Sequence, residues 1–385
     1  MYLRCHAHQV KDKYRVKKWK VYQITNSPLA LGLVGFFQSL PMFLFSLFGG
    51  VAADRVDKRT LIISTQTTAM LLAFILSTLT LTRMVRIEHI FFLAFCLGTV
   101  HAFDMPARQA FVIEMVGKED LMNAIALNST IFNSARILGP AAAGALIAVV
   151  GAGMCFFLNG VSFLAVIAGL LLMRVPKSPR EARQEPVLAN LVEGLRYIWG
   201  NPIVLTLESL VAVSSIFGMP YARLMPVFAK DVLYVGAHGY GFLLSATGTG
   251  ALIGALSLAS LGNFQHKGWL VTAGNLLYPT MLLVFSFSRL FPLSLIFLVG
   301  VGFSMITQNA TTNTLLQTTV PDKLRGRVMS VHALFFGGMA PLGDLLAGTV
   351  ANFSNAPAAV GFGASIALSY SIFVLLRLPQ VRRLA

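Results

Sequence analysis

Eleven apolar stretches occupy most of this 385-residue chain, and no soluble fold hides that much apolar surface. They run over Leu29 to Ala53, Leu61 to Thr82, His89 to Pro106, Asn123 to Val150, Ala152 to Met173, Ile203 to Leu224, Tyr240 to Gly262, Gly268 to Ser288, Leu290 to Asn313, Val328 to Asn352 and Pro357 to Leu378. Most reach the roughly 20 residues that a helix needs to cross about 30 Å of hydrocarbon. Composition agrees: 12% of residues are charged and the mean hydropathy is +0.73, where soluble domains carry about 25% charged residues. Period-two alternation is absent and the runs are too long for barrel strands. The spans must therefore be helices, which satisfy their own backbone polar groups in lipid. The fold class is an all-α membrane bundle.

The second half repeats the first at an offset of 204 residues. Gly32, Gly35, Gly50, Gly98, Gly139 and Gly144 fall on Gly236, Gly239, Gly254, Gly302, Gly343 and Gly348 when 204 is added, where chance gives roughly one such match. Glycine is kept in membrane helices where backbones touch or turn, so the coincidences mark a duplicated helical unit. Many secondary transporters are built this way, with substrate held between the halves. The organisation expected is a basic N-terminal segment over 1–28, a first helical half over 29–173, a linker over 174–202, a second half over 203–378 and a tail over 379–385.

Charge sets the orientation. Seventeen Lys and Arg fall in loops on one side of the spans and four on the other, which places the first side and the C-terminus in the cytoplasm of a cell whose inner membrane the chain crosses. The net charge of +15 sits in these short loops, so membrane lipid headgroups and not nucleic acid are the expected partner. Cys96 and Cys155 lie inside spans, Cys5 lies in the N-terminal segment, and no metal-ligand spacing occurs. In the linker, Val187, Leu188, Leu191, Leu195 and Ile198 recur at helical spacing, which predicts an amphipathic helix on the cytoplasmic membrane face.

The repeat breaks at the N-terminus. A partner for the span Ile203 to Leu224 would end near residue 20, yet residues 1 to 20 carry seven Lys and Arg and no helix of that composition crosses a bilayer unaided. Twelve helices minus the first is the expected count. A disturbed coding sequence, a wrongly chosen start and a true eleven-span protein with a surface arm each account for it.

Two motifs bear on function. Gly49-Gly50-Val51-Ala52-Ala53-Asp54-Arg55-Val56-Asp57-Lys58-Arg59 joins the first two spans. Gly50 is expected to let a neighbouring helix approach, Asp54 to meet a helix N-terminus or an arginine, and Arg55, Lys58 and Arg59 to anchor the loop at the cytoplasmic face. In the fourth span, Arg136-Ile137-Leu138-Gly139-Pro140 runs on to Gly144; Pro140 bends the helix, and Gly139 and Gly144 leave a thin face. A matching thin surface at Gly248, Gly250 and Gly254 is expected to pack against it across the two halves. The loop resembles the cytoplasmic signature of the major facilitator superfamily, and the glycine-proline run resembles the fifth-helix motif of its antiporters. With the strings FDMPARQAFVIEMV from Phe103 and PYARLMPVFAKDVL from Pro220, the chain is similar to the drug and siderophore efflux branch. The resemblance implies a major facilitator-type bundle of two pseudo-repeated halves, export by antiport, and a first helix that lines the central cavity.

Ionisable residues inside spans are the coupling candidates, because each costs about 2.5–3.5 kcal/mol at the membrane centre. Asp104 and Arg108 stand one helical turn apart and can pair, so that protonating Asp104 would release Arg108. Glu208 and Asp344 are the other carboxylate candidates. Arg136, beside Asn133, can bind an anionic substrate or neutralise an acid. Gln38 with Phe36 and Phe37, Tyr221, and Gln308 with Asn309 form an expected aromatic and amide cavity wall for a bulky amphiphile.

Walker, H-E-x-x-H and G-x-S-x-G motifs are absent, so no enzyme is expected and no cofactor is needed. The function expected is a monomeric secondary transporter that exports small amphiphilic molecules on the proton gradient. A transport-inactive remnant and a lysophospholipid translocator are the alternatives.

Overall fold

A computed structural model of the chain describes Trp19, residues 21–116, 121–173, 187–261 and 267–378, and Arg382. Every regular element among the described residues is helical. By proximity the chain divides into two compact units, Met1–Asn26 with Leu33–Gln184, and Ser27–Gly32 with Glu185–Ala385.

Four helices dominate the first unit: α1 (Pro28–Arg55), whose first turn clusters with the second unit, α2 (Lys58–Leu81), α3 (Ile87–Val116) and α4 (Leu121–Leu172). Local chemistry sets their starts. Pro28 takes the first helical position of α1, where a missing N–H costs nothing, and Ser27 Oγ accepts from the Ala30 amide at 3.3 Å. At the start of α2 the Asp57 carboxylate accepts from the Thr60 amide at 2.8 Å and from its hydroxyl at 2.6 Å. Along α2 the buried residues Ile62, Thr65, Gln66, Ala69, Leu72, Ala73, Leu76, Ser77 and Thr80 recur every three or four positions, so one stripe faces protein and the rest is free to face lipid. Ile62, Ala107, Phe111, Val166 and Leu170 join α2, α3 and α4 in one apolar cluster.

α4 carries both the fourth and the fifth expected spans. They are separated at Gly151, the one residue left between them, with φ 77° and ψ 166°, a conformation glycine alone adopts freely. Of the basic segment expected over 1–28, residues 1–18 and residue 20 lie outside the described residues. Its described end is helical over residues 21–25, and Trp19, Val21 and Tyr22 are buried.

The second unit begins with α5 (Val187–Gly200) and α6 (Pro202–Val213), which runs through a π-helical turn (Ser214–Gly218) into α7 (Tyr221–Val227) and a second such turn (Phe228–Val232). α8 (Gly236–Leu261), α9 (Lys267–Phe287) and α10 (Phe291–Thr319) follow. Then α11 (Asp322–Ala333) passes through a third π-helical turn (Leu334–Gly338) into α12 (Ala340–Phe353), and α13 (Ala356–Arg377) closes the unit. In the first of these turns the Met219 amide reaches five residues back to the Ser214 carbonyl at 2.9 Å, the wider spacing that defines a π turn. α10 packs against both α8 and α9, and α9 against α13.

Nine helical runs among the described residues are long and apolar enough to cross a membrane, including Pro202–Val232 and Leu324–Phe353 as single spans. The two further expected spans lie on α1 and on the first part of α4, where many side chains fall outside the described residues.

The linker helix forms, as α5, but its apolar side meets protein. Ile198 is buried and Leu195 packed in a cluster with Leu207, Val328 and Val331. Gly194 lies against the Arg327 backbone, and Glu193 Oε1 pairs with Arg327 Nη1 at 2.6 Å. Apolar periodicity identifies a face that must be covered, and α11 covers it here. Val187, Leu188 and Leu191 carry side chains outside the described residues.

Candidate functional site

Polar groups buried in membrane-spanning helices are the natural places to look for a mechanism, since each must be bonded or charged for a reason. In the first unit the centre is Asp104 on α3, 3% exposed. Arg108, one turn on, donates Nε to Oδ2 at 3.1 Å and Nη2 to both oxygens at 2.9 and 3.1 Å. From α2, Thr65 Oγ1 and Gln66 Nε2 each donate to Oδ1 at 2.8 Å. Asp104 and Arg108 do meet, as expected, and α2 adds two donors that spacing along one helix cannot reveal. Such a carboxylate is a fixed tie between α2 and α3.

Below it lies the loop between α1 and α2. Arg59 donates Nε to the Leu170 carbonyl and Nη2 to the Leu171 carbonyl, both at 2.7 Å, so it caps the negative end of α4. The anchoring is to a helix terminus within this unit. Asp54 and Arg55 complete the last turn of α1, and their side chains lie outside the described residues. At Gly50 a Cβ would meet nothing within 4 Å among the described residues. Its neighbour is closely packed: a Cβ on Gly49 would overlap the Ala102 carbonyl of α3. With two adjacent glycines, sequence alone cannot say which faces the partner.

Among the described residues of the second unit, two buried carboxylates face basic side chains, and both pairs join the same two spans. Glu208 on α6, fully buried, faces His332 on α11, Oε2 to Nδ1 at 3.2 Å. Arg223 on α7 donates Nε to Asp344 Oδ2 on α12 at 2.8 Å. Between the pairs lies one π-helical turn of each span, Ser214–Gly218 and Leu334–Gly338, and there Ser215 Oγ donates to the Phe336 carbonyl at 2.9 Å. Partners along the two spans differ by 124, 121 and 121 positions, so the spans run parallel and are pinned before, at and after their π turns. Asp344 and Glu208, the other expected coupling candidates, each have a basic partner. His332 escaped notice because a neutral imidazole adds nothing to a count of formal charge, although it too lies inside an apolar span.

The expected cavity residues fall on both units, each with its own setting. Gln308 is buried and donates Nε2 to Ser214 Oγ at 2.7 Å in the first π turn, Tyr221 is buried on α7, and Asn309 is half-buried beside Gln308. Gln38, half-buried on α1, contributes its backbone carbonyl to the close approach of Gly98. Asn133, Arg136, Gly139, Pro140 and Gly144 lie on α4 with side chains outside the described residues. Gly250 and Gly254 are spent inside the second unit, where a Cβ on Gly250 would overlap the Val299 carbonyl and one on Gly254 would stand 2.8 Å from the Phe303 carbonyl, both on α10. Gly248 is buried on the same helix. The thin surface thus seats α8 on α10. A cavity of about 390 Å³ opens between α5 and the start of α11, lined by Glu193, Arg196, Tyr197, Gly200, Asn201 and Leu324, none of them an expected cavity residue.

Comparison with known proteins places this geometry. The profile described as transmembrane secretion effector matches residues 14–385. The chain belongs to the transmembrane secretion effector family. Like other members it is a multi-pass membrane transporter of major facilitator type and not an enzyme. It is 28% identical over 380 residues to the multidrug efflux pump Tap of Mycolicibacterium fortuitum, covering 95% of this chain and 91% of that one. To the staphyloferrin A transporter of Staphylococcus aureus it is 28% identical over 332 residues, 85% and 82% of the two chains. The enterobactin exporter EntS of Escherichia coli is 25% identical over 368 residues, 94% and 87%. Among solved structures this secretion effector resembles the nucleoside transporter NupG, TM-score 0.71 at 12% identity over 98% of this chain and 99% of that one. A bacterial homologue of the human lysosomal transporter Spinster gives 0.70 at 14% over 99% and 96%. At these identities the structures speak for the fold alone.

Proposed function

We propose that this transmembrane secretion effector exports small amphiphilic molecules, drug-like or siderophore-like, by alternating access driven by inward proton flow. The observation that carries the reading is similarity over at least 85% of the chain to three relatives named for multidrug efflux, staphyloferrin A transport and enterobactin export. Buried carboxylates bonded to basic side chains inside spans supply groups able to take up a proton and change the helix contacts they make. The excess of basic loops puts the C-terminus in the cytoplasm and the chain in the inner membrane. It needs no cofactor, and it works as a monomer among lipids.

The test uses everted membrane vesicles with and without the chain, energised to acidify the lumen and offered ethidium. Ethidium should accumulate in vesicles that carry the chain and leak out when a protonophore collapses the gradient. Equal retention in both preparations, repeated with a siderophore, would leave the chain a transport-inactive scaffold. Accumulation that survives the protonophore would remove proton coupling.

A further inference from the structure

We propose that Glu208 and His332 together form a proton-binding site that latches span Leu324–Phe353 to span Pro202–Val232 on the α11 side of their π turns. This deepens the proton-driven reading above and rests on it, but it concerns a site whose behaviour can be measured without any transported molecule.

Geometry singles the pair out from the other buried carboxylates. Asp104 has donors on both oxygens, three from its own guanidinium partner and two from α2. Asp344 faces a guanidinium, which stays charged at any physiological pH. Glu208 instead faces an imidazole, and its second oxygen, Oε1, has no hydrogen-bond partner among the described residues. Both partners can therefore hold or lose a proton, and one acceptor is left over in the interior. With no proton shared, the pair carries one net negative charge on side chains that are fully or nearly buried, an arrangement that loss of solvent opposes. With one proton the pair is neutral and its bond is charge-assisted. Binding a proton thus tightens α6 on α11, and losing it loosens them.

Charged groups flank the pair's surroundings: Arg325 Nε is buried on α11, and Arg382 lines a small pocket with Leu210, Val271 and Val374. The helices that carry the pair, α6 and α11, share one apolar cluster with α5, α9, α10 and α13. On α5 and α11, Glu193 is occupied by Arg327 at 2.6 Å. Arg196 and Tyr197 line the cavity at the end of α5, and Arg325 sits two positions from Arg327. Asp322 and Lys323 open α11, Lys267 opens α9 and Arg377 closes α13, all at helix ends. Tyr278, the remaining ionisable group of α9, lies against Gly218 in the π turn. On α13, Tyr370 donates its hydroxyl to Ser209 at 2.7 Å, next to Glu208 in sequence. α10 has no charged side chain over Phe291–Thr319.

The position of the latch gives it leverage. A π turn begins six positions after Glu208 and two after His332, and beyond these turns Arg223–Asp344 joins the two spans again. π turns interrupt the regular ladder and recur at functional sites, so the segments before them can pivot when the latch opens.

Hydrogen–deuterium exchange of the purified chain in lipid nanodiscs, at about pH 5 and about pH 8.5 with labelling times matched for intrinsic exchange, reads this directly. In the wild-type chain, peptides across residues 202–218 and 326–338 should exchange about threefold faster at the higher pH, while peptides from α8 and α10 stay level. In Glu208→Gln and in His332→Gln the pH difference should vanish, with the α8 and α10 peptides reporting that the unit is folded. Absence of a pH response in the wild type overturns the proposal, and so does an unchanged response in either folded variant. Neither result bears on whether ethidium is moved, so this failure is distinct from failure of the export reading.

Discussion

Arg223 Nε stands 2.8 Å from Asp344 Oδ2, across 121 positions of chain, with the aspartate 3% exposed. The pair is the outer pin of two parallel spans, and its partners are unequal: the arginine side chain keeps 20% of its surface and the aspartate 4%. Removing the guanidinium leaves a buried carboxylate with its main charge partner gone. Arg223→Met should therefore destabilise the second unit by about 3–5 kcal/mol. The doubly altered Arg223→Met, Asp344→Leu chain should recover most of that loss, because an apolar pair of similar volume replaces a charge pair at little cost. Thermal unfolding in nanodiscs measures both; a double variant no better than the single one would show that the pair does more than neutralise itself.

The adjacent glycines near the end of α1 make opposite predictions. A Cβ on Gly49 would overlap the Ala102 carbonyl of α3, whereas one on Gly50 meets nothing within 4 Å among the described residues. Gly49→Ala should cost about 1–3 kcal/mol through forced separation of α1 and α3. Gly50→Ala should be neutral or stabilise by up to about 1 kcal/mol, since alanine favours a helix over glycine. Melting temperatures of the two variants, compared in one lipid composition, decide the matter.

These glycines show how far sequence carries. Long apolar runs force membrane helices because lipid offers the backbone no other partner, and the residue left between two runs, Gly151, is where α4 breaks. The 204-residue repeat also survives as a working contact: Gly98 on α3 receives the Gln38 carbonyl of α1, and Gly302 on α10 receives the Thr247 carbonyl of α8. What sequence leaves open is partnership. Hydropathy cannot distinguish Gly49 from Gly50, cannot tell that the apolar face of α5 meets α11, and cannot pair Glu208 with an imidazole 124 positions away. Nor do the π turns announce themselves, because they depend on how two parallel spans fit and not on local propensity.

Arg59 provides a test of the loop as an anchor. It places two donors on the Leu170 and Leu171 carbonyls, where α4 ends and its dipole is negative. Arg59→Ala should cost about 1–2 kcal/mol and should raise exchange in the last turn of α4 before any other segment. Arg59→Lys, which keeps the charge but loses the fork, should retain about half of the effect. Exchange that rises evenly across the unit in Arg59→Ala would mean that the arginine supports the bundle as a whole and not this helix end.

Asp104 separates holding from coupling. Hydrogen bonds from Thr65, Gln66 and Arg108 tie it to α2 and to its own arginine, so Asp104→Asn removes charge from a tie and leaves Arg108 facing an amide. The expected result is a lower melting temperature, by the equivalent of about 2–4 kcal/mol, with gradient-driven ethidium uptake and ethidium exchange without a gradient falling together. Their ratio is the informative quantity, because a proton carrier loses the first and keeps the second. Glu208→Gln should lower that ratio by about tenfold, the cost of uncoupling a step from the gradient, while Asp104→Asn leaves it within about twofold. A collapsed ratio in Asp104→Asn with the protein still folded would transfer proton coupling to the first unit, whatever the latch between α6 and α11 does.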